Sequence, residues 1–415
     1  MTTTTRRMQH LTIEDHTLTV PLVWGDDDDT RTIDVHASVV SREDGESLPY
    51  LVFLQGGPGS EAPTPMANPT SPSWLDAALQ HHRVVMLDQR GTGKSTPVGD
   101  ENLRHGTAEV AEYLTHLRAD SIVCDAEAVR EHLGARAWNT LGQSFGGFTT
   151  LAYLSTDADS IDRAYFTGGL SGVGRSADEV YALTYDKMRT ASLAYYRRFP
   201  EQRDAVRRLV DLAADGAIVL SDGEVVSVSR IRSLGMLLGS DDGWQTLWSL
   251  LDRDPATNAF RHDLAAALPY RGRNPLYYVI HESSYADGVV TDWAAERVEP
   301  DDFRQDMTLL TGEHVRREWA DTVPAFQPWR DVADAIAEVA WPRVYDADAI
   351  AASGVRGAAA VYYNDLFVPV EHSMETAELM PDVRVRVTSE HEHSGLRTGS
   401  VLSTLIDLAQ DRIVR

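Results

Sequence analysis

The sequence predicts an α/β protein with a mostly parallel eight-stranded sheet and a helical cap inserted after the sixth strand. Three observations predict this class. Short apolar runs alternate with helical patterns up to about residue 170, helical periodicity prevails over residues 172–341, and strand-like runs return afterwards. We therefore expect one sheet domain made of residues 1–171 and 342–415, with residues 172–341 forming the cap.

Eight runs have the length and apolar character of strands, and turn residues bound them. They are residues 18–24, 32–40, 50–54, 84–87, 138–141, 163–166, 357–363 and 383–388. Only a loop joins the first two, so we expect an antiparallel hairpin at the edge of the sheet. The Thr-rich residues 2–5 are expected to be a disordered end, and the Asp-rich residues 26–29 a loop.

Helical periodicity fills the spaces between the later strands and most of the cap. The segments are residues 108–117, 121–133 and 148–154 among the strands, 176–199 and 201–214 in the cap, and 401–412 at the end. Helices that alternate with strands are typical of crossover connections, which keep the strands parallel.

Composition limits the classes of partner. The chain of 415 residues carries a net charge of −25, from 63 acidic against 38 basic residues. So acidic a surface should repel phosphate backbones and anionic lipids, so neither nucleic acid nor membrane is an expected partner. The sequence indicates no obligate protein partner either.

No targeting signal is recognised in the sequence, and this and the cysteine content favour a cytoplasmic location. Two arginines near the start have no apolar stretch behind them, and no run is long enough to span a membrane. The single cysteine, Cys124, cannot form an intrachain disulfide, which is typical of a reducing compartment. Cys124 falls in a helical pattern, where an inert thiol is expected.

Ser144 is the candidate nucleophile. Residues 142–146 read Gly-Gln-Ser-Phe-Gly and lie directly between a predicted strand and a predicted helix. This is the context of the nucleophile elbow in the α/β-hydrolase fold, where glycines leave room for a sharp turn. The backbone N–H of Phe145 would begin the helix and could stabilise an oxyanion.

A second oxyanion donor is expected in the Gly-Gly-Pro-Gly run at residues 56–59, which follows the third predicted strand. An ordinary Gly-Pro turn would also explain this composition, but not its position relative to the elbow. We favour the backbone N–H of Gly57 as the donor, with that of Gly56 as the alternative.

The acid and base follow from chain order, because this fold places Ser first, then Asp or Glu, then His. Among the late histidines, only His391 and His393 follow the strand at 383–388, and His393 is our candidate base. Asp365, just past the strand at 357–363, is the candidate acid, although a turn-capping aspartate is the simpler alternative. A histidine pair between glutamates is weak evidence for a metal site, so neither metal nor cofactor is expected.

With these residues in place, the chain resembles the proline iminopeptidases, in the longer form with a large helical cap. The matching segments are residues 55–59, 87–95, 122–127, 138–147 and 390–397. The resemblance implies a serine exopeptidase that releases N-terminal proline from small peptides through an acyl-enzyme. The Asp-Gln-Arg run at 88–90 would brace the site. Gln55 departs from the histidine that many relatives carry, but the oxyanion donors are backbone groups.

The resemblance also implies roles for cap residues. Glu282 and Glu313 would receive the free amino group of the substrate through charge-assisted hydrogen bonds. Tyr285 and Trp293 would line an apolar pocket for the proline ring. Glutamates on helices are more often solvated, however, and aromatic residues at helical spacing are more often core.

Two other functions stay open on the sequence alone. The triad does not choose between amides and esters, so an aminopeptidase of broader specificity or an esterase is the alternative hydrolase. A binding protein that has kept the fold and lost the chemistry belongs to a different class, and the intact Ser144, Asp365 and His393 disfavour it.

Overall fold

A computed structural model describes residues 2–8, 10–65 and 74–414 of the chain. Its strands are β1 (Thr2–Met8), β2 (Leu11–Pro21), β3 (Thr32–Arg42), β4 (Tyr50–Leu54), β5 (Arg83–Leu87), β6 (Trp138–Gln143), β7 (Ile161–Thr167), β8 (Arg356–Tyr362) and β9 (Val383–Thr388). They form one sheet in the order β1-β2-β3-β5-β4-β6-β7-β8-β9. Neighbours from β5 to β9 are parallel, whereas β1/β2, β2/β3 and β3/β5 are antiparallel. The α/β class and the mostly parallel sheet are confirmed.

The α-helices follow the predicted pattern. Those outside the β7–β8 connection are α1 (Trp74–Ala78), α2 (Thr107–Thr115), α3 (Ala119–His132), α4 (Phe145–Thr156), α16 (Val370–Glu378), α17 (Gly395–Thr398) and α18 (Val401–Ala409). Those between β7 and β8 are α5 (Ala177–Arg198), α6 (Pro200–Ala214), α7 (Val228–Arg232), α8 (Gly243–Leu251), α9 (Asn258–Ala267), α10 (Pro275–Val279), α11 (Ala294–Arg297), α12 (Asp301–Gln305), α13 (Trp319–Thr322), α14 (Arg330–Ala337) and α15 (Ala347–Ala352). Short 3₁₀ helices lie at Asp100–Arg104, Ala158–Ser160, Ser233–Gly239, His281–Tyr285 and Gln327–Trp329.

Helices cover both faces of the sheet. Alternate residues of β4 show this division, since Val52 packs with α3 and α4 on one face and Phe53 packs with α1 and α18 on the other. Burial on both faces explains why the central strands read as continuous apolar runs. The carboxyl ends of these strands therefore meet at one edge, where ligands of open α/β sheets bind.

The sheet has one strand more than predicted, because residues 2–5 belong to β1 rather than to a disordered end. This strand pairs with β2 from Thr2 opposite Thr17 to Met8 opposite Leu11. Residues 2–7 are exposed, so the sequence carries no apolar alternation to reveal the strand. Threonine is β-branched and suits an exposed strand once a partner is present. The expected hairpin of β2 and β3 is confirmed, but β2 begins at Leu11 and β1 occupies the edge.

The segment between β7 and β8 is largely helical, as the sequence predicts for the cap. Helix α5 begins after Ser176, whose hydroxyl accepts from the backbone N–H of Glu179 while the Glu179 carboxylate accepts from that of Ser176. The domain boundaries at 171/172 and 341/342 stay predictions. No helix within the described residues is long and apolar enough to cross a membrane.

Candidate active site

Ser144 lies at a tight turn between β6 and α4. Its backbone angles are φ 55° and ψ −126°, which non-glycine residues seldom adopt. A β-carbon on Gly142 would lie 2.5 Å from the backbone oxygen of Gly146. A β-carbon on Gly146 would overlap the backbone oxygen of Leu54. Only glycine fits at these two positions. The strand–turn–helix context predicted around Ser144 is confirmed.

Asp365 and His393 form a hydrogen-bonded pair. Nδ1 of His393 lies 2.8 Å from Oδ2 of Asp365, which is fully buried. The other carboxylate oxygen, Oδ1, accepts from the backbone N–H groups of Phe367 and Val368, both at 2.9 Å. Because a carboxylate only accepts hydrogen bonds, the pair assigns the imidazole proton to Nδ1 and leaves Nε2 able to take up a proton.

The charge environment favours the protonated form of His393. Burial would lower the pKa of His393, but the carboxylate of Asp365, its hydrogen bond and the more distant Glu313 together raise the pKa above its ordinary value. The other candidate base, His391, is bonded elsewhere: its Nδ1 lies 3.0 Å from Oδ2 of Asp241. The structure thus pairs His393 rather than His391 with Asp365.

The end of β7 brings Ser144 close to this pair. The backbone N–H of Ser144 donates to the oxygen of Thr167 at 3.1 Å. A β-carbon on the next residue, Gly168, would lie 3.1 Å from Nδ1 of His393 and 3.2 Å from Oδ2 of Asp365. Ser144, Asp365 and His393 therefore lie around residues 167–168, at the carboxyl end of β7.

The glycine loop, residues 56–59, lies beside the elbow. A β-carbon on Gly56 would lie 3.1 Å from Cβ of Ser144, so this backbone approaches the serine closely. Gly57 has φ 131°, which glycine adopts without penalty. Phe145 occupies the first position of α4, where backbone N–H groups have no intrahelical acceptor. The structure therefore places Gly56 next to Ser144 and Phe145 at the start of α4, and the roles of Gly57 and Phe145 as oxyanion donors stay predictions.

The run at residues 88–90 supports the glycine loop, as the sequence predicts. The Gln89 side chain accepts from the backbone N–H of Gly59 at 3.0 Å and donates to the oxygen of Gln55 at 2.7 Å. Arg90 is fully buried, and its guanidinium donates to both oxygens of Asp125, at 2.6 and 2.7 Å. This bidentate ion pair anchors the run at residues 88–90 to α3.

The two predicted cap carboxylates have different surroundings. Oε1 of Glu313 accepts from the hydroxyl of Tyr277 at 2.7 Å, and burial raises the pKa of Glu313. The two oxygens of Glu282 accept from the backbone N–H groups of Ala294 and Ala295, at 3.0 and 2.9 Å. Burial raises the pKa of Glu282 to about 7. Glu282 therefore stabilises the start of α11, whereas the Tyr277 hydroxyl engages one oxygen of Glu313.

A small apolar pocket lies beside Phe367, a neighbour of His393. Its lining includes Phe145, Phe148, Tyr285 and Phe367. The ring of Phe367 meets that of His393 edge-on at 5.2 Å between centroids. Tyr285 thus lines an apolar pocket, and its contact with a proline ring stays a prediction.

Trp293, in contrast, is half-buried and packs against an apolar cluster. Its ring lies 6.2 Å from that of Tyr278, in the cluster that also contains Trp319 and Trp329. A role for Trp293 in a substrate pocket receives no support from this position.

Comparison with known proteins shows the family of the chain. A model of the α/β-hydrolase fold matches residues 49–214. A proline iminopeptidase of Aeromonas sobria is 38% identical over 419 residues, which cover 96% of each chain. The chain belongs to the proline iminopeptidase family of α/β-hydrolases. It is accordingly a hydrolase, and the resemblance and fold predicted from its motifs are confirmed.

Two other proteins match over similar lengths. A proline iminopeptidase of Aspergillus aculeatus is 27% identical over 394 residues, covering 89% of this chain and 87% of that protein. The solved structure of a proline iminopeptidase from Mycobacterium smegmatis is 14% identical with a TM-score of 0.46, over 95% of this chain and 97% of that one.

Sequence reasoning missed two contributors to the site, Tyr277 and Phe367. Each contacts a candidate residue from a distant part of the chain, so no local pattern marks it.

Proposed function

We propose that this proline iminopeptidase family member is a serine exopeptidase that removes an N-terminal proline from small peptides. The observation that carries the proposal is the hydrogen bond of 2.8 Å between His393 and the fully buried Asp365, next to a serine on a tight elbow. The names of the relatives from Aeromonas sobria and Aspergillus aculeatus support the proline specificity.

In the proposed mechanism, Oγ of Ser144 attacks the carbonyl carbon of the N-terminal residue while Nε2 of His393 takes the hydroxyl proton. Asp365 keeps the imidazole in the required tautomer and stabilises the imidazolium. The protonated His393 then gives its proton to the leaving amine as the peptide bond breaks, which leaves an acyl-enzyme. Water, activated by the same imidazole, attacks the acyl-enzyme, and free proline and Ser144 are released.

The oxyanion would be stabilised by the backbone N–H groups of Phe145 and Gly57, with Gly56 as the alternative to Gly57. Phe145 supports this role because it begins α4, where unpaired N–H groups and the helix dipole favour negative charge. Gly56 and Gly57 support it because their loop approaches Ser144 closely.

Glu313 is the proposed receptor of the substrate amine. Its carboxylate has a second oxygen beyond the one that Tyr277 engages, and its influence on the pKa of His393 indicates that it lies within electrostatic reach of the proposed base. A charge-assisted hydrogen bond from the substrate amine to this half-buried carboxylate would select substrates with a free amino group. Glu282 would act as a second acceptor through its remaining lone pairs. The pocket lined by Tyr285 would receive the proline ring.

The test compares four kinds of substrate. Proline arylamide with a free amine should be hydrolysed efficiently, N-blocked proline arylamide at least about a hundredfold more slowly because a charged hydrogen bond is lost, and Ser144→Ala should remove activity on both. Equal rates on free and blocked substrates would refute the exopeptidase proposal. Faster turnover of p-nitrophenyl esters than of proline arylamide would favour the alternative esterase. Comparable rates on several aminoacyl arylamides would favour an aminopeptidase of broader specificity.

A further inference from the structure

The segment around Asn274 lies across the glycine loop. The Asn274 side-chain amide donates to the backbone oxygen of Gly59, and Arg273 forms an ion pair with Glu61. A β-carbon on Gly59 would lie 3.1 Å from Cγ of Leu276, so the start of α10 is packed directly on the loop. These contacts join the segment between β7 and β8 to the loop that follows β4.

The same asparagine fixes the start of α10. Its Oδ1 accepts from the backbone N–H of Tyr277 at 3.2 Å, so the side chain caps the helix. The ring of Tyr277 is stacked on that of Tyr270 with centroids 4.6 Å apart, and its hydroxyl donates to Glu313. One side chain therefore connects the glycine loop, through Tyr277, to the carboxylate of Glu313.

We propose that Asn274 is a positioning residue that keeps Glu313 in register with the glycine loop, an inference that rests on the proposed function. The amine nitrogen and the carbonyl carbon of an N-terminal residue are about 2.5 Å apart, a distance that bond lengths fix. An enzyme that holds both groups at once must keep the carboxylate and the oxyanion donors at a matching separation. Small errors in such alignment reduce the rate of the chemical step.

Asn274→Asp separates the two contacts of this side chain. Aspartate is as good a helix cap as asparagine, so α10 should persist, but it cannot donate to Gly59. We expect kcat/KM for proline arylamide to fall about tenfold, mostly in kcat, as the loss of one hydrogen bond allows. In a Glu313→Gln background the same change should reduce kcat/KM by less than about twofold, because no carboxylate at residue 313 remains to be aligned with the glycine loop. Hydrolysis of p-nitrophenyl acetate, which has no amine, should also change less than about twofold.

A matched control is Asp346→Asn, which makes the reverse exchange at the cap of α15, where Oδ1 accepts from Ala349. It should leave both activities unchanged. Asn274→Ser keeps a capping oxygen on a shorter side chain and should give the same change in activity as Asn274→Asp. It tests the proposal even if the melting temperature of the aspartate variant is lowered.

The proposal is overturned if the loss is the same in the wild-type and Glu313→Gln backgrounds, or if the ester and the arylamide lose activity equally. Either result would give Asn274 a purely structural role while leaving the proposed function intact. A wild-type protein with no activity on proline arylamide would refute the proposed function itself, and this inference with it.

Discussion

Replacing Asp365 with asparagine should abolish most of the activity and leave the fold intact. The backbone N–H groups of Phe367 and Val368 both point at Oδ1. In the variant the amide oxygen must occupy that position, because the opposite orientation would leave two buried donors unpaired, at a cost of about 1–3 kcal/mol each. The side-chain NH₂ group of the new residue would then face Nδ1 of His393.

That orientation of the asparagine amide reverses the tautomer of the His393 imidazole. An NH₂ group donates, so Nδ1 of His393 would become the acceptor and the ring proton would move to Nε2, which then could not take the proton of Ser144. A wrong tautomer of this kind costs about 10⁴-fold in kcat, or about 5.5 kcal/mol of transition-state stabilisation. The assay is kcat on proline arylamide at pH 8, with thermal melting measured alongside.

The matched control is Asp241→Asn, which makes the same exchange in the neighbouring pair of Asp241 and His391. It should reduce kcat by less than about tenfold, the effect of one weakened hydrogen bond. If Asp365→Asn kept more than about a tenth of the wild-type kcat, the tautomer argument would be wrong. If Asp241→Asn caused the larger loss, His391 would be the base.

Three further outcomes follow from the site. Glu313→Gln should raise KM for proline arylamide at least about tenfold with little change in melting temperature. Glu282→Gln should mainly lower the free energy of unfolding, by about 1–3 kcal/mol, because one of two buried backbone N–H groups loses its acceptor. The acid limb of kcat/KM against pH should have its midpoint above pH 6.5, because the net effect of burial and of the Asp365 carboxylate raises the pKa of His393. Activity is lost as falling pH protonates this base. Gly146→Ala should give little folded protein, since its β-carbon would overlap the backbone of Leu54.

Each of these has a clear contrary result. A Glu282→Gln variant with raised KM and unchanged melting temperature would reverse the roles of the two carboxylates. An acid limb below 6.5 would mean that a group other than His393 limits activity. A Gly146→Ala variant with normal yield and kcat would show that the elbow relaxes more readily than its packing indicates.

Most of the fold could be predicted from the sequence because its signals are local. Buried strands such as β4 and β5 read as apolar runs, and helices such as α5 show their period and their capping residues within a single segment. Strand β1 could not be predicted, since its exposed residues acquire their conformation from pairing with β2 rather than from any apolar face.

The candidate nucleophile, acid and base were determined by the sequence alone. Their motifs combine a required residue type with a required place after a strand, and chain order restricts the acid and base to late residues, with His391 and His393 both in the required place. The tertiary structure decided what surrounds them: the pairing of His393 with Asp365, the contact of Tyr277 with Glu313, and the bridge from Asn274 to Gly59. Such contacts join residues far apart in the chain, and their geometry exists only once the separate elements have packed together.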